Sequence, residues 1–151
     1  MDNGKSTIRN IFLSDDDRDD CSLFSEALQE LASDAKLTIA SDGAKLMKAL
    51  DENVPPAPEL IFLDLNMPRK NGFECLQEIR KSPKFKDIPV IIFSTSNNND
   101  VVDKTFQEGA NFYITKPSSF TLLKKTLAFV LSIGAEGFSQ PQREKFVIKV
   151  A

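Results

Sequence analysis

Apolar residues along this 151-residue chain gather in five short runs, and between the runs they recur every three or four positions. Residues 8–14 form the first run and read as a strand. Over 17–32, Leu23, Phe24, Ala27, Leu28 and Leu31 fall at helical spacing, with acids in the first turn where the helix dipole favours them. Residues 37–40 suggest a short second strand. Ser41, Asp42 and Gly43 then open a helix carrying Leu46, Met47 and Leu50, which the prolines of 53–58 end. Residues 60–65 are apolar except for Asp64, as expected of a strand buried on both faces. After a turn over 66–72, Phe73, Leu76 and Ile79 mark one face of a third helix, and 88–93 form a fourth strand. The polar stretch 97–100 caps a helix over 101–108 that Gly109 ends, and 111–115 is the fifth strand. Ser118 or Ser119 then caps a last helix with Leu123, Leu127 and Val130.

Five strands alternating with five helices predict an α/β fold built from βα units, with a parallel sheet covered on both faces. Right-handed crossovers leave few topologies, and the flavodoxin-like, doubly wound order 2-1-3-4-5 is the one expected here. In that order, ligands sit outside the carboxyl ends of the strands, at the switch point between strands 1 and 3.

Composition narrows the function. The net charge of −3 argues against a broad nucleic-acid surface, which needs clustered basic charge. The N-terminal MDNGKSTIRN is polar and lacks a secretory signal pattern, and no apolar stretch reaches membrane-spanning length. The expectation is a cytoplasmic protein. Cys21 and Cys75 lie in predicted helices without metal-ligand spacing and read as buried small residues. The chain contains no histidine, which removes histidine general acid–base catalysis, histidine-ligated zinc and any phosphohistidine of its own.

The polar residues at the strand ends carry the chemistry. Asp15 and Asp16 follow the first run, Asp64 sits in the third, Ser94 ends the fourth and Lys116 follows the fifth. In a parallel sheet these groups converge on one edge. Each has a plain alternative: Asp64 as a turn cap, Lys116 as a surface lysine, Ser94 as an ordinary strand exit. Asp17, Asp19 and Asp20 read as helix-terminal charge on a solvated face. Three crowded carboxylates repel unless a cation joins them, and oxygen ligands of this kind suit Mg²⁺, with Mn²⁺ as an alternative. An aspartyl nucleophile, a charge-shielding metal, and a cation with a hydroxyl form a set suited to phosphoryl transfer.

The acidic pair after the first strand, LIFLDLNMPRKNG around Asp64, IPVIIFSTS and GANFYITKP occur in order. With these motifs the chain resembles the receiver domain of two-component response regulators, the chemotaxis-regulator-like family. The resemblance covers about residues 9–131. It implies that Asp64 is the phosphoacceptor, and that Asp15, Asp16 and Asp64 hold the metal with the backbone carbonyl of Asn66. It further implies that Ser94 is the switch hydroxyl, Tyr113 the aromatic residue that follows it, and Lys116 the partner of the phosphoryl oxygens. A cis Lys116–Pro117 bond is part of the same expectation. Pro68 and Gly72 would shape the loop after Asp64.

The function expected is that of a stand-alone, non-enzymatic response regulator, phosphorylated by a histidine kinase or a histidine phosphotransfer protein. It would signal to a downstream protein through the face of helix 4, strand 5 and helix 5, with homodimerisation left open. Residues 8–132 would be the receiver domain and 133–151 a tail too short for an output domain. Within that tail, 146–150 is apolar enough to pack back on the domain, add a strand to a partner, or fray. Two rivals exist. A haloacid-dehalogenase-like phosphatase also uses an aspartyl nucleophile, but needs a second aspartate where this chain has Asn66. A degenerate receiver serving only to bind would not need the full set of Asp15, Asp16, Asp64 and Lys116.

Overall fold

The computed structural model describes residues 8–133 and 138–150. The calls made on the N-terminal segment before residue 8, and on the part of the tail spanning 134–137 and 151, lie outside the described residues. Five parallel strands alternate with helices: β1 (Asn10–Ser14), α1 (Arg18–Leu31), β2 (Lys36–Ala40), α2 (Gly43–Asn53), β3 (Leu60–Leu63), α3 (Gly72–Lys81), β4 (Val90–Ser94), α4 (Asn99–Gln107), β5 (Phe112–Thr115) and α5 (Phe120–Ser132). One further turn of helix, α6 (Arg143–Phe146), follows in the tail and was not expected from the sequence pattern. The strand order is β2-β1-β3-β4-β5, as the alternation of elements predicts.

Alternation along the strands explains the continuous apolar runs. Phe12, Ile61, Leu63, Val90, Ile92 and Tyr113 point to one face, where α2, α3 and α4 bring Leu50, Leu76, Ile79 and Val102. Ile11, Leu13, Phe62, Ile91, Phe93 and Ile114 point to the other, against Phe24 of α1 and Leu127 and Val130 of α5. Phe24 meets Phe62 edge-on at 4.9 Å between ring centroids and Phe93 at 5.6 Å, locking α1 over the centre of the sheet.

The helices begin where short polar residues can accept from free backbone N–H groups. Asp17 accepts from Asp20 in α1, Asp42 from Lys45 in α2, and Ser119 from Leu122 in α5. In α3, Asn71 and Glu74 form a reciprocal capping box. Helix α4 starts at Asn99 rather than at 101 because Asn98, one residue ahead, supplies the cap. The Lys116–Pro117 bond is trans, contrary to expectation; among the described residues the cis bonds are Val54–Pro55 and Pro55–Pro56. Lys116 needs no cis bond to point inward, since its N–H donates to Ser94 O at 2.8 Å and its long side chain spans the remaining distance.

The tail returns to the sheet. Val147 forms a parallel bridge with Tyr113 on the outer side of β5, and Ile148 N–H donates to Tyr113 O at 2.9 Å. Phe146 is fully buried against Phe106 and Tyr113. Gln140 donates to the carbonyls of Phe106 and Ala110, and Arg143 pairs with Asp103 of α4. Of the three fates open to residues 146–150, packing back on the domain is the one observed.

The loop after β3 turns back tightly, with Gly72 N–H donating to Leu65 O at 3.0 Å. A Cβ at Gly72 would stand 2.2 Å from Asp64 O and 2.8 Å from Leu65 Cα, both backbone atoms. Gly72→Ala should therefore destabilise the fold by about 1–3 kcal/mol, the usual cost of overpacking. Denaturant unfolding checks this, and an unchanged midpoint would show that the loop can give way.

Candidate functional site

The backbone places the site. Three of its residues stand one position beyond a strand while their N–H groups still continue the sheet ladder. Asp15 N–H donates to Ala40 O at 3.1 Å, Asp64 N–H to Ser14 O at 2.9 Å and Lys116 N–H to Ser94 O at 2.8 Å. Their positions are thus fixed by backbone bonds, and only side-chain torsions remain free.

Carboxylate oxygens of Asp15, Asp16 and Asp64 lie within 4.8 Å of one another. Asp15 and Asp64 are buried and Asp16 is exposed. The Lys116 ammonium reaches into this group, 2.8 Å from Asp15 Oδ2 and 3.3 Å from Asp64 Oδ2. It lies 5.7 Å from the centre of the Phe93 ring. A fourth carboxylate also touches it: Asp20 Oδ2, from the first turn of α1, accepts from Nζ at 2.8 Å. Helical spacing alone places Asp20 on a solvated face. A clue was available, because Asp20 immediately precedes Cys21, the first inward-facing residue of α1.

Charge in the cluster is unbalanced. Burial pushes the Asp15 carboxyl up to about 6, against the lowering effect of Lys116 and of the Asp17 N–H at 3.0 Å. Burial also pulls on Lys116, but its contacts with Asp15, Asp20 and Asp64 outweigh it and hold the ammonium well above the ordinary lysine value. Asp15 Oδ2 is buried with no donor in hydrogen-bonding geometry, although the Lys116 charge is close. An under-coordinated buried oxygen, facing two more carboxylates at an open loop, fits a hard divalent cation. The donor set is all oxygen, which suits Mg²⁺ or Mn²⁺ and disfavours thiophilic metals.

Around this centre, Asn66 N–H lies 3.4 Å from Asp64 Oδ1. Ser94 is fully buried at the end of β4, and its Oγ accepts from Ser96 N–H at 3.3 Å. Tyr113 is buried in the inward position, its hydroxyl donating to Ser96 O at 2.7 Å. Burial pushes that phenol above its usual range, opposed by hydrogen bonds with Ser94 and Ser96. Asp15, Asp16, Asp64 and Lys116 therefore meet in one place, while Ser94 and Tyr113 are joined to each other through Ser96. The sequence pattern did not reveal Asp20, nor Phe146, which packs on the Tyr113 ring at 6.3 Å between centroids.

Comparison with known proteins agrees with this geometry. The family model for the response regulator receiver domain matches residues 11–128. Response regulator Rcp1 of Synechocystis sp. is 36% identical over 135 residues, covering 87% of this chain and 92% of Rcp1. The solved structure of the phosphorylated cyanobacterial phytochrome response regulator RcpA superimposes with a TM-score of 0.76 at 34% identity, covering 82% of this chain and 91% of RcpA. The Mn²⁺-bound form of Rcp1 superimposes with a TM-score of 0.73 at 34% identity, covering 87% of this chain and 99% of that one. With its five-stranded order, its acidic edge and the matching family model, the chain belongs to the response regulator receiver domain family.

Proposed function

We propose that this chain is a phospho-accepting response regulator in which Asp64 takes a phosphoryl group from a histidine kinase or a histidine phosphotransfer protein. The observation that carries the reading is one largely buried ammonium, Lys116, set between Asp15 and Asp64 at the carboxyl edge of the sheet. An oxygen of Asp64 attacks phosphorus while the P–N bond to the donor imidazole breaks, and the electron pair leaves with the imidazole nitrogen. An acyl phosphate on Asp64 results. Hydrolysis later returns the carboxylate and inorganic phosphate. Lys116 supplies a positive charge to the transferring oxygens, a contact worth most in a shielded site.

Asp15, Asp16 and Asp64, with the carbonyl of Asn66, would hold Mg²⁺ or Mn²⁺, which supplies charge neutralisation between the carboxylates and the phosphoryl group. The Mn²⁺ in the Rcp1 structure and the phosphorylation of RcpA support this part of the reading. Ser94 and Tyr113 act as the switch: a phosphoryl group at Asp64 draws the Ser94 hydroxyl toward it, breaking the arrangement that Ser96 now joins. The face of α4, β5 and α5 carries the signal to a downstream protein, which meets the tail already lying across β5. The module acts by being occupied and not by turning over a substrate, and it works in the cytoplasm. Among the described residues no helix is long and apolar enough to cross a membrane.

Incubation with acetyl phosphate and Mg²⁺ should add one phosphoryl group, labile to base and to hydroxylamine, to the wild-type chain, as read by intact mass. A phytochrome-class histidine kinase is the first enzymatic donor to try, because RcpA is a phytochrome response regulator. Asp64→Asn should abolish the label, and Lys116→Met should slow its formation by about 100-fold, the usual loss for one transition-state donor. Label retained in Asp64→Asn would remove Asp64 from the role.

Burial also gives Asp15 a pH signature. Its carboxyl lies at about 6 in the folded state against an ordinary 3.8, so between those values the folded chain holds a proton that the unfolded chain has lost. Stability from this group is therefore present below 3.8 and is lost as pH rises through about 6. In metal-free buffer at about pH 7.5, Asp15→Asn should stabilise the fold by about 2 kcal/mol, and the gain should vanish near pH 4. Chemical denaturation at the two pH values checks it. Destabilisation at the higher pH would mean that the pairing with Lys116 outweighs burial.

A further inference from the structure

We propose that Asp20 is a positioning residue for phosphoryl transfer, competing with Asp64 for the Lys116 ammonium and holding that cation toward α1 until a phosphoryl group draws it across. The inference rests on the reading of Asp64 as phosphoacceptor and adds a residue to it.

Distances carry the argument. Lys116 Nζ stands 2.8 Å from Asp20 Oδ2 and from Asp15 Oδ2, but 3.3 Å from Asp64 Oδ2. In the unphosphorylated state the ammonium therefore makes its shorter contacts with the two carboxylates that do not accept the phosphoryl group. Asp20 and Asp64 come from different elements, α1 and the end of β3, so the cation lies between two anchors. An ammonium fully paired with Asp64 would neutralise the attacking oxygen. Sharing it leaves Asp64 Oδ2 less encumbered and keeps the cation within one short movement of the product.

The surroundings of Asp20 suit a partner that lets go. The Asp20 side chain is 34% exposed, whereas Asp15 is wholly buried and Asp64 is 7% exposed. Asp20, Lys116, Phe93 and Phe120 border a shallow cavity of about 80 Å³ between α1 and α5. An Asp20 carboxylate released by Lys116 can take up water there, so parting from the cation costs it little. Asp15, buried and already bonded to the Asp17 N–H, has no such outlet. Of the two competitors, Asp20 is the one able to yield.

A neighbouring acid supplies the control. Asp19 lies in the same turn, is exposed and carries the same charge. Asp19→Asn and Asp20→Asn thus alter net charge and helix-terminal charge alike, and differ in the contact with Lys116. Two readouts are taken: the side-chain ¹⁵N resonance of Lys116 in the ligand-free protein, and the affinity for beryllofluoride, an acyl-phosphate mimic, at saturating Mg²⁺. Asp20→Asn should shift the Lys116 resonance and tighten beryllofluoride binding about 3- to 5-fold, the range of a partly exposed ion pair. Asp19→Asn should change affinity less than about twofold, and Asp20→Glu should restore wild-type behaviour. Equal effects of the two asparagine variants, or weaker binding in Asp20→Asn, would overturn the positioning role while leaving the phosphoacceptor intact. A wild-type chain that does not respond to beryllofluoride at all would overturn both.

Discussion

One ammonium among four carboxylates governs this molecule. Lys116 touches Asp15, Asp20 and Asp64, and Asp16 lies beside them. Water cannot level the resulting imbalance, because Asp15 and Asp64 are buried and the lysine side chain is only 10% exposed. Burial raises the Asp15 carboxyl, while the carboxylates around Lys116 overcome its own burial and raise the ammonium. Such a cluster is stable enough to fold yet short of positive charge, and its physical demand is for a cation. In the proposed function that demand makes the site responsive: a divalent ion satisfies the carboxylates, after which an anionic group can be accepted beside Lys116.

The fold holds the cluster by backbone means. Sheet hydrogen bonds run one residue past the strands and fix Asp15, Asp64 and Lys116, while the close approach of Gly72 to the Asp64 carbonyl sets the loop beyond. These features were legible in the sequence because they depend on period-two burial and on polar residues at strand ends, both of which are local. Asp15, Asp16, Asp64 and Lys116 could therefore be placed from their positions in the runs alone. Asp20 could not, because helical spacing assigns a residue on the flank of the buried stripe only an average direction. Its contact depends on how far a lysine from β5 reaches across the sheet. The cis Lys116–Pro117 bond expected from family resemblance was wrong for a related reason: a long flexible side chain can reach the site from a trans backbone.

The tail was the other part that the pattern left open. Residues 146–150 show strand-like apolar content, and the sequence does not say which surface they cover. In the structure Phe146 fills the space between Phe106 of α4 and Tyr113 of β5, and Val147 pairs with Tyr113. This links the aromatic residue proposed as the switch to a segment outside the sheet. Tyr113 is thereby held from two sides, through Ser96 at its hydroxyl and through Phe146 on its ring. A rearrangement of Ser94 would be felt at both.

The central claim is that occupation of Asp64 is transmitted to Tyr113. It is tested most directly by amide NMR spectra of the wild-type chain with Mg²⁺, before and after addition of beryllofluoride. The account predicts shifts that begin around Asp64 and Lys116 and extend through Ser94 and Ser96 to Tyr113 and the tail at Val147. Spectra unchanged at those residues, with Mg²⁺ and the mimic both in excess, would contradict it and leave the domain as a binding module with an idle acidic edge.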